Sequence, residues 1–266
     1  MVKNIPIGQY MPGNSVVHRL DPRTKLLAVL AYIVVLFVAD GMYAYLLLAA
    51  AAAAAFLATR IRPGVILRGL KSIIILILIT VSFNLFMTPG PALFRIGPLV
   101  ATQTGAAVAA FMGARLVLLI VVTSLVTLTT SPIDLTDGLE RLMKPGQRIG
   151  VPAHELAMMM TIALRFIPTL LEEADRIMKA QMARGADFES RNLVRRVRNL
   201  VPLLVPLFVS AFRRADELAL AMEARCYRGG EGRTRMKQLR LGALDAGAGA
   251  LTLLVVGAVV ALRVVT

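Results

Sequence analysis

The chain has too few sulfur and imidazole ligands for most metal and redox chemistry. Among its 266 residues are one cysteine, Cys226, and two histidines, His18 and His154. One cysteine can form no intramolecular disulfide, and the histidines lie far apart in sequence, without cysteines or carboxylates at ligand spacing. We therefore expect no metal site, no disulfide and no redox centre in this chain.

The sequence also lacks the motifs that bind nucleotide phosphates. It contains no G-x-x-x-x-G-K-[ST] loop and no glycine-rich turn after a strand pattern, so any ATP must be hydrolysed by a partner. Paired carboxylates occur at Glu172-Glu173 and Asp216-Glu217, but arginines stand beside them. Ion pairs on a solvated helix face are favoured there over general acid–base catalysis.

Apolar residues dominate the composition. Hydrophobic residues make up 57% of the chain and the mean hydropathy is +0.72, which the core of a soluble domain of this length cannot hide. No signal-peptide pattern opens the chain, so we do not expect secretion. The net charge of +14 lies mostly beside apolar runs, without interleaved aromatics, which indicates anionic lipid and membrane topology rather than nucleic acid. The sequence predicts an all-α integral membrane protein.

Five apolar runs predict membrane-spanning helices. The first has 14 residues and falls short of the roughly 20 that cross a bilayer, so it needs flanking residues or a snorkelling Lys25. Asp21 and Pro22 read as the N-cap and first residue of this helix and would let it begin earlier. The five runs are residues 26–39, 42–58, 72–87, 105–128 and 241–262.

The distribution of positive charge orients these spans. Lysines and arginines precede the first span and separate the second from the third, whereas Arg95 alone separates the third from the fourth. The positive-inside rule then places the N-terminus in the cytoplasm and the C-terminus outside. We predict three parts: residues 1–130 with four spans, a cytoplasmic region at 131–240 that holds 19 of the 30 lysines and arginines, and a last span at 241–266.

Two further apolar runs lie inside the cytoplasmic region, at residues 156–171 and 200–212. If both crossed the membrane, the strongly basic loop between them would lie outside, against the charge rule. Pro168 interrupts the first run, and Pro202 and Pro206 interrupt the second. We predict two helices that lie along the inner membrane surface, with apolar faces toward lipid and basic faces toward water.

One sequence pattern occurs twice in this region. Ala-Asp-x4-Ala-x2-Ala-Arg begins at Ala174 and again at Ala215, and it ends at Arg184 and Arg225. Guanidinium is always charged and forks onto carboxylates or carbonyls, so two such ends suit insertion into two similar partners. Gly185 can end the first helix in a left-handed conformation. The alternative is two amphipathic helices whose likeness is accidental.

Within the spans, Arg115 is the only ionisable residue near mid-depth. An intramembrane arginine indicates a functional site or a structural partner such as Asn84. If both residues lined a substrate path, the chain could be a self-contained secondary transporter or channel. A membrane scaffold for a soluble complex is a third possibility.

Several motifs along most of the chain match one family of membrane proteins. The two most specific are Leu-Asp-Pro-Arg-Thr-Lys at residues 20–25 and Arg-Gly-Ala-Asp-Phe at residues 184–188. On these residues the chain resembles the transmembrane T component of energy-coupling factor (ECF) transporters, the vitamin and trace-metal importers of prokaryotes. It is most similar to the T components shared by many substrate-binding subunits. Further matching segments are residues 8–15, 129–132, 162–170, 223–227 and 232–235.

The resemblance implies a multi-pass subunit of the prokaryotic cell membrane that is not itself an enzyme. In this family two coupling helices each end in an Ala-Arg-Gly-like motif whose arginine docks on one of two ABC-type ATPase subunits, which bind the ATP and Mg²⁺. Closure of the ATPases is thought to move the helices and tilt a substrate-binding S component, which releases its vitamin inward. The matching residues are Ala183, Arg184 and Gly185, and Ala224, Arg225 and Cys226.

The second motif departs from the family pattern at one position. Cys226 stands where glycine is usual. Its side chain is small, so we expect docking to survive with an altered helix end.

Overall fold

The structure is a computed structural model that describes residues 10–96, 99–188, 193–229 and 239–265. Within these ranges all secondary-structure elements are helices except for one antiparallel hairpin, so the predicted all-α membrane class is confirmed. The elements are α1 (Val16–Arg19), α2 (Pro22–Val38), α3 (Met42–Thr59), α4 (Pro63–Met87), β1 (Ala92–Ile96), β2 (Leu99–Thr102), α5 (Gln103–Thr129), α6 (Pro132–Met143), a 3₁₀ turn (Lys144–Ile149), α7 (Ala153–Ala183), α8 (Leu193–Ala224) and α9 (Ala243–Val265).

The hairpin was not predicted from the sequence. It occupies the connection between α4 and α5, where the strands pair with each other. Strand pairing satisfies backbone N–H and C=O groups of β1 and β2 that the flanking helices cannot pair with.

The described residues fall into two compact units. The first unit comprises residues 10–138 and 239–265, and the second comprises residues 139–229. The first unit therefore holds α1 to α5, the hairpin and α9, and the second holds α7 and α8. Helix α6 begins in the first unit and ends in the second.

Four described helices are long and apolar enough to cross a membrane: α3, α5, α7 and α9. A fifth span is formed if the two parts of α4, Pro63–Lys71 and Ile73–Met87, count as one helix bent by 61°. The predicted third span, residues 72–87, corresponds to the second of these parts. Helix α2 has 17 residues, about 26 Å at 1.5 Å per residue, and falls short of the other candidates.

Helix α2 begins where the sequence predicted. The Asp21 carboxylate accepts a hydrogen bond from the Arg23 N–H at 2.9 Å, and Pro22 is the first helical residue. Lys25 does not snorkel to water, however. Its ammonium is buried and donates to the carbonyl oxygen of Thr129 at 2.9 Å, because the ends of α2 and α5 lie together in the first unit.

The core of the first unit lies where α2, α3 and α9 meet. Leu36, Leu48 and Val259 are fully buried, one from each helix. Helix α5 packs against α2, α3 and α4 and completes this bundle. The remaining faces of these helices expose large apolar side chains, as expected of surfaces that contact lipid.

Helices α7 and α8, both predicted from the sequence, are continuous through the prolines that interrupt their apolar runs. Pro168 lies inside the 31 residues of α7, and Pro202 and Pro206 lie inside the 32 residues of α8. Each proline removes one backbone hydrogen bond and leaves the remaining turns intact. By length and composition α7 could cross a membrane, whereas α8 does not qualify. The surface position of both helices stays a prediction.

Candidate functional site

The first Ala-Arg motif forms the C-terminal end of α7. The helix ends at Ala183, the Gly185 N–H donates to the Met182 carbonyl at 2.9 Å, and the Ala186 N–H donates to the Gln181 carbonyl at 3.0 Å. These two bonds define a Schellman motif, in which the residue at Gly185 must be left-handed. Its φ of +88° confirms the prediction made for this glycine.

The second motif forms the same structure at the end of α8. The helix ends at Ala224, the Cys226 N–H donates to the Glu223 carbonyl at 2.8 Å, and the Tyr227 N–H donates to the Met222 carbonyl at 3.0 Å. Cys226 takes the left-handed position with a φ of +55°. The altered helix end expected from the sequence is therefore wrong: both cap hydrogen bonds form, and the cysteine bears the conformational cost that glycine avoids.

Arg184 and Arg225 occupy equivalent positions in these two caps. Each directly follows the last helical residue, and each is exposed beside an exposed alanine, Ala183 or Ala224. Neither guanidinium forms an ion pair or side-chain hydrogen bond with the part of the chain that the structure describes. Both side chains can therefore bind acceptors of another molecule without first breaking a polar contact to the described residues.

Helices α7 and α8 pack side by side and run antiparallel. Arg214 donates to the Glu173 carboxylate at 2.7 Å, and near one end of the pair Gln181 donates to the Pro202 carbonyl at 3.4 Å. This ion pair is of the kind predicted for the carboxylates, except that it joins two helices instead of lying along one. The antiparallel arrangement puts the two caps at opposite ends of the helix pair.

The separation of the caps follows from one further contact. The Tyr227 hydroxyl, just beyond Arg225, lies 3.0 Å from the sulfur of Met158. Met158 precedes Arg184 by 26 residues on α7, which corresponds to about 39 Å of helix at 1.5 Å per residue. The two arginines thus mark two separate places at which a partner could bind.

Each cap is tied to the neighbouring helix by a different contact. At the first, the Asn199 side chain donates to the Asp187 carbonyl at 2.6 Å. At the second, the Tyr227 hydroxyl lies 3.3 Å from Nε2 of His154, whose Nδ1 lies 3.1 Å from the Glu140 carboxylate. His154 and Glu140 could not be identified from the sequence as supports of this cap, because no spacing pattern links them to Tyr227.

Arg115 lies among aromatic side chains. Its Nε donates to the Tyr45 hydroxyl at 3.0 Å, and its guanidinium carbon lies 5.3 Å from the centre of the Phe37 ring. Phe37 is in the last turn of α2 and Tyr45 in the first turn of α3, so the guanidinium lies near the α2–α3 connection rather than at mid-depth. Asn84 donates to the Thr80 carbonyl of its own helix, and the structure does not bring Asn84 and Arg115 together.

A cluster of charged residues in the first unit connects the starts of α2 and α9 with the end of α5. The Lys25 ammonium lies within the electrostatic reach of three carboxylates, and it donates to the Thr130 hydroxyl at 3.3 Å. One of these carboxylates, Asp245, accepts the Asp21 N–H at 2.7 Å and the Gly242 N–H at 2.8 Å. The Leu-Asp-Pro-Arg-Thr-Lys motif thus connects the start of α2 to the end of α5 and the start of α9. The three carboxylates belong to Asp21, Asp134 and Asp245.

Comparison with known proteins gives one consistent family. Residues 13–236 match the family CbiQ, described as cobalt transport protein. The energy-coupling factor transporter transmembrane protein EcfT of Thermosediminibacter oceani is 60% identical over 97% of this chain and 98% of its own length. The EcfT proteins of Clostridium kluyveri and Bacillus subtilis are 60% and 50% identical, over 92% and 90% of this chain and 92% and 91% of their own lengths. The chain therefore belongs to the CbiQ family, as a transmembrane component of energy-coupling factor transporters.

Proposed function

We propose that this chain couples the ATPase cycle of two ABC-type subunits to an S component that binds a vitamin or related micronutrient. It is a non-catalytic subunit of the prokaryotic cell membrane, with a cytoplasmic N-terminus. The ATPases bind the ATP and Mg²⁺, and the S component binds the substrate. The T component is of the type shared by several S components. Family membership and the two equivalent helix caps support this proposal.

The single observation that carries it is the pair of exposed arginines on matching caps. A guanidinium beside small alanines can enter a groove and bind acceptors there in a fork. Two such caps at opposite ends of one antiparallel helix pair suit two ATPases of similar shape. When the ATPases close, each would move the cap docked on it.

The α7–α8 pair is suited to transmit this motion. The Glu173–Arg214 ion pair and the contact between Gln181 and Pro202 hold two helices of 31 and 32 residues together. Movement of either cap would therefore displace the helix pair as a body instead of bending a single loop. The apolar faces of these helices, which expose side chains such as Phe208 and Phe212, would contact the S component or lipid.

Transport by the chain alone is less well supported. That hypothesis needed Arg115 and Asn84 on a common substrate path. The Arg115 guanidinium is instead engaged by Tyr45 and Phe37, and Asn84 bonds to its own helix. We infer that Arg115 holds α5 against the ends of α2 and α3.

Charge reversal at the two caps tests the proposal. Arg184→Glu and Arg225→Glu should each weaken the complex with the ATPase pair, by about 2–5 kcal/mol, because repulsion is added and acceptors are left unpaired. The double variant should retain no ATPase on purification from detergent and should abolish ATP-driven uptake in proteoliposomes. The matched control is Arg176→Glu with Arg213→Glu, which makes the same charge change at exposed positions within α7 and α8.

Unchanged ATPase binding and uptake in the double variant would reject the docking role. Loss of ATPase binding in the matched control as well would mean that net charge, and not the caps, determines assembly. Uptake by the purified chain without ATPases would instead support a secondary transporter.

A further inference from the structure

The α3–α4 corner, residues 60–71, carries four cations and no acid. Two of the cations lie in the connection between the helices and two in the first part of α4, and all four are exposed. None forms an ion pair with another residue that the structure describes. The sequence contains no aspartate or glutamate between Asp40 and Asp134, so no acid close in sequence neutralises this charge. The four cations are Arg60, Arg62, Arg68 and Lys71.

One face of the first part of α4 packs on the core of the first unit. Ile66 is buried against Leu125 and Leu128 of α5, and Val65 and Leu70 pack beside them. Apolar burial of this kind holds the segment against the end of α5. The cations of the corner take no part in this packing and are available to another molecule.

The opposite face of the same segment combines cations with an exposed leucine. Gly64, Leu67, Arg68 and Lys71 share one side of the helix, because residues three and four positions apart are neighbours on its surface. The Leu67 side chain is 63% exposed, and Arg68 Nε donates to the Gly64 carbonyl at 3.3 Å. An exposed apolar side chain flanked by cations is typical of a helix that lies in the membrane interface.

The second part of α4 extends this picture into the hydrocarbon. Ile73–Met87 exposes large apolar side chains such as Ile75 and Ile79, and it meets the first part at an angle of 61°. Its length is about 22 Å at 1.5 Å per residue, which is less than the roughly 30 Å of the hydrocarbon core. If this part crosses the bilayer, its start therefore lies close to the hydrocarbon boundary. Lys71 ends the first part and would lie at that boundary, beside the head groups.

We propose that the α3–α4 corner binds the phosphate groups of anionic phospholipids. Leu67 enters the acyl boundary, and Arg68 and Lys71 bind the phosphates on either side of it. Guanidinium binds phosphate oxygens in a fork and ammonium binds them as a point charge. Arg60 and Arg62 extend the same positive surface. The inference is independent of the proposed coupling function, because it concerns only the chain and the bilayer.

The absence of tryptophan from the chain allows a direct test. Leu67→Trp places a single tryptophan on the exposed face of the corner, where bromine on lipid acyl chains quenches its fluorescence on contact. Two kinds of vesicle are compared, both equal mixtures of phosphatidylglycerol and phosphatidylcholine, with bromine on one lipid or on the other. The surface charge is then the same in both. Brominated phosphatidylglycerol should quench at least about twofold more strongly, since each cation near the surface favours anionic lipid.

Two controls separate the corner from the rest of the chain. Tyr43→Trp places the single tryptophan at an exposed position at the opposite end of α3, three residues after Asp40, and both brominated lipids should quench it equally. Raising the salt concentration from about 0.1 M to about 1 M should reduce the preference at Leu67→Trp, because screening weakens the attraction between exposed charges.

Substitutions of the cations test their role in the lipid preference. In the Leu67→Trp chain, Arg68→Gln with Lys71→Gln should abolish the preference for phosphatidylglycerol. Arg176→Gln with Arg213→Gln makes the same charge change at exposed positions of α7 and α8 and should preserve it.

Arg60 separates lipid binding from stability. It adopts a left-handed conformation with a φ of +57°, which glycine adopts without strain. In the Leu67→Trp chain, Arg60→Gly should lower the preference for phosphatidylglycerol and leave the unfolding midpoint in detergent unchanged or higher. A preference lost through damage to the fold would be accompanied by a lower midpoint.

Three results would overturn the inference. The first is equal quenching of Leu67→Trp by the two brominated lipids, and the second is a preference that survives Arg68→Gln with Lys71→Gln or is shared by Tyr43→Trp. The third is weak quenching by both lipids together with a change of emission when the ATPase pair is added, which would assign the corner to a protein partner instead.

Discussion

Glu173 and Arg214 form an ion pair of 2.7 Å, and they stand 41 residues apart, the same interval that separates Arg184 from Arg225. Equivalent positions of the repeat therefore face each other where α7 and α8 run side by side. This is the expected centre of an approximate two-fold relation between the two helices.

Contacts on either side of this centre obey the same relation. Met158 contacts Tyr227 near one cap, and Asn199 contacts Asp187 near the other. Asn199 follows Met158 by 41 residues and Tyr227 follows Asp187 by 40. The duplicated sequence thus has a duplicated structure, in which each helix supplies one cap and supports the other.

The Glu173–Arg214 pair should contribute to the stability of this helix pair. Its side chains are 23% and 35% exposed, so we expect Glu173→Gln to cost about 1 kcal/mol rather than the larger penalty of a fully buried pair. The measurement is thermal unfolding in detergent. Glu173→Arg and Arg214→Glu should each lower the unfolding temperature, and the double variant that swaps the two charges should recover most of this lost stability. A double variant that is less stable than either of these two single variants would contradict the ion pair.

The left-handed residue of each cap gives a second prediction. Cys226→Gly should stabilise the end of α8 by about 1 kcal/mol. Because this lowers the population of the open state about fivefold, amide hydrogens at residues 222–227 should exchange about fivefold more slowly. Gly185→Ala should speed exchange at residues 181–186 by a similar factor. No atom lies within 4 Å of a Cβ added at Gly185, so the cost there is conformational and not a clash. Equal exchange in wild type and Cys226→Gly would show that the cysteine is not strained.

Lys25 gives a third prediction, on the stability of the first unit. Lys25→Met removes a buried ammonium from hydrogen bonds to Thr129 and Thr130 and from three nearby carboxylates, and should cost about 3 kcal/mol. Lys71→Met, at an exposed position, should change stability by less than about 0.5 kcal/mol. Comparable unfolding midpoints in detergent for the two variants would show that the contacts of Lys25 do not stabilise the first unit.

A substitution at Arg115 tests whether this residue has a structural role or lines a substrate path. Arg115→Gln should lower stability by about 1–2 kcal/mol, because the Tyr45 hydrogen bond and the contact with the Phe37 ring are lost. ATP-driven uptake by the assembled complex in proteoliposomes should persist. Complete loss of uptake from a complex that still assembles would place Arg115 on the substrate path instead.

The features that the sequence predicted are local ones. Asp21 and Pro22 start α2, and Gly185 ends α7, because a cap depends on a few neighbouring residues and their preferred dihedral angles. The two exposed arginines were also found, because an exact repeat in a basic region is visible without knowing the fold.

Contacts that depend on packing could not be predicted. Lys25 was expected at the water interface but is buried, since nothing local reveals that the end of α5 and the start of α9 surround it. The link from Tyr227 through His154 to Glu140 joins residues 73 and 14 positions apart and has no sequence signature.

Counting the ATPase subunits bound to the chain tests its proposed coupling role most directly. Native mass spectrometry of the complex purified in detergent should find two ATPases on the wild-type chain and on Arg176→Glu with Arg213→Glu. The occupancy should fall in Arg184→Glu and in Arg225→Glu, and the double variant should appear as the chain without ATPases. Two ATPases still bound to the double variant would contradict docking at the two caps.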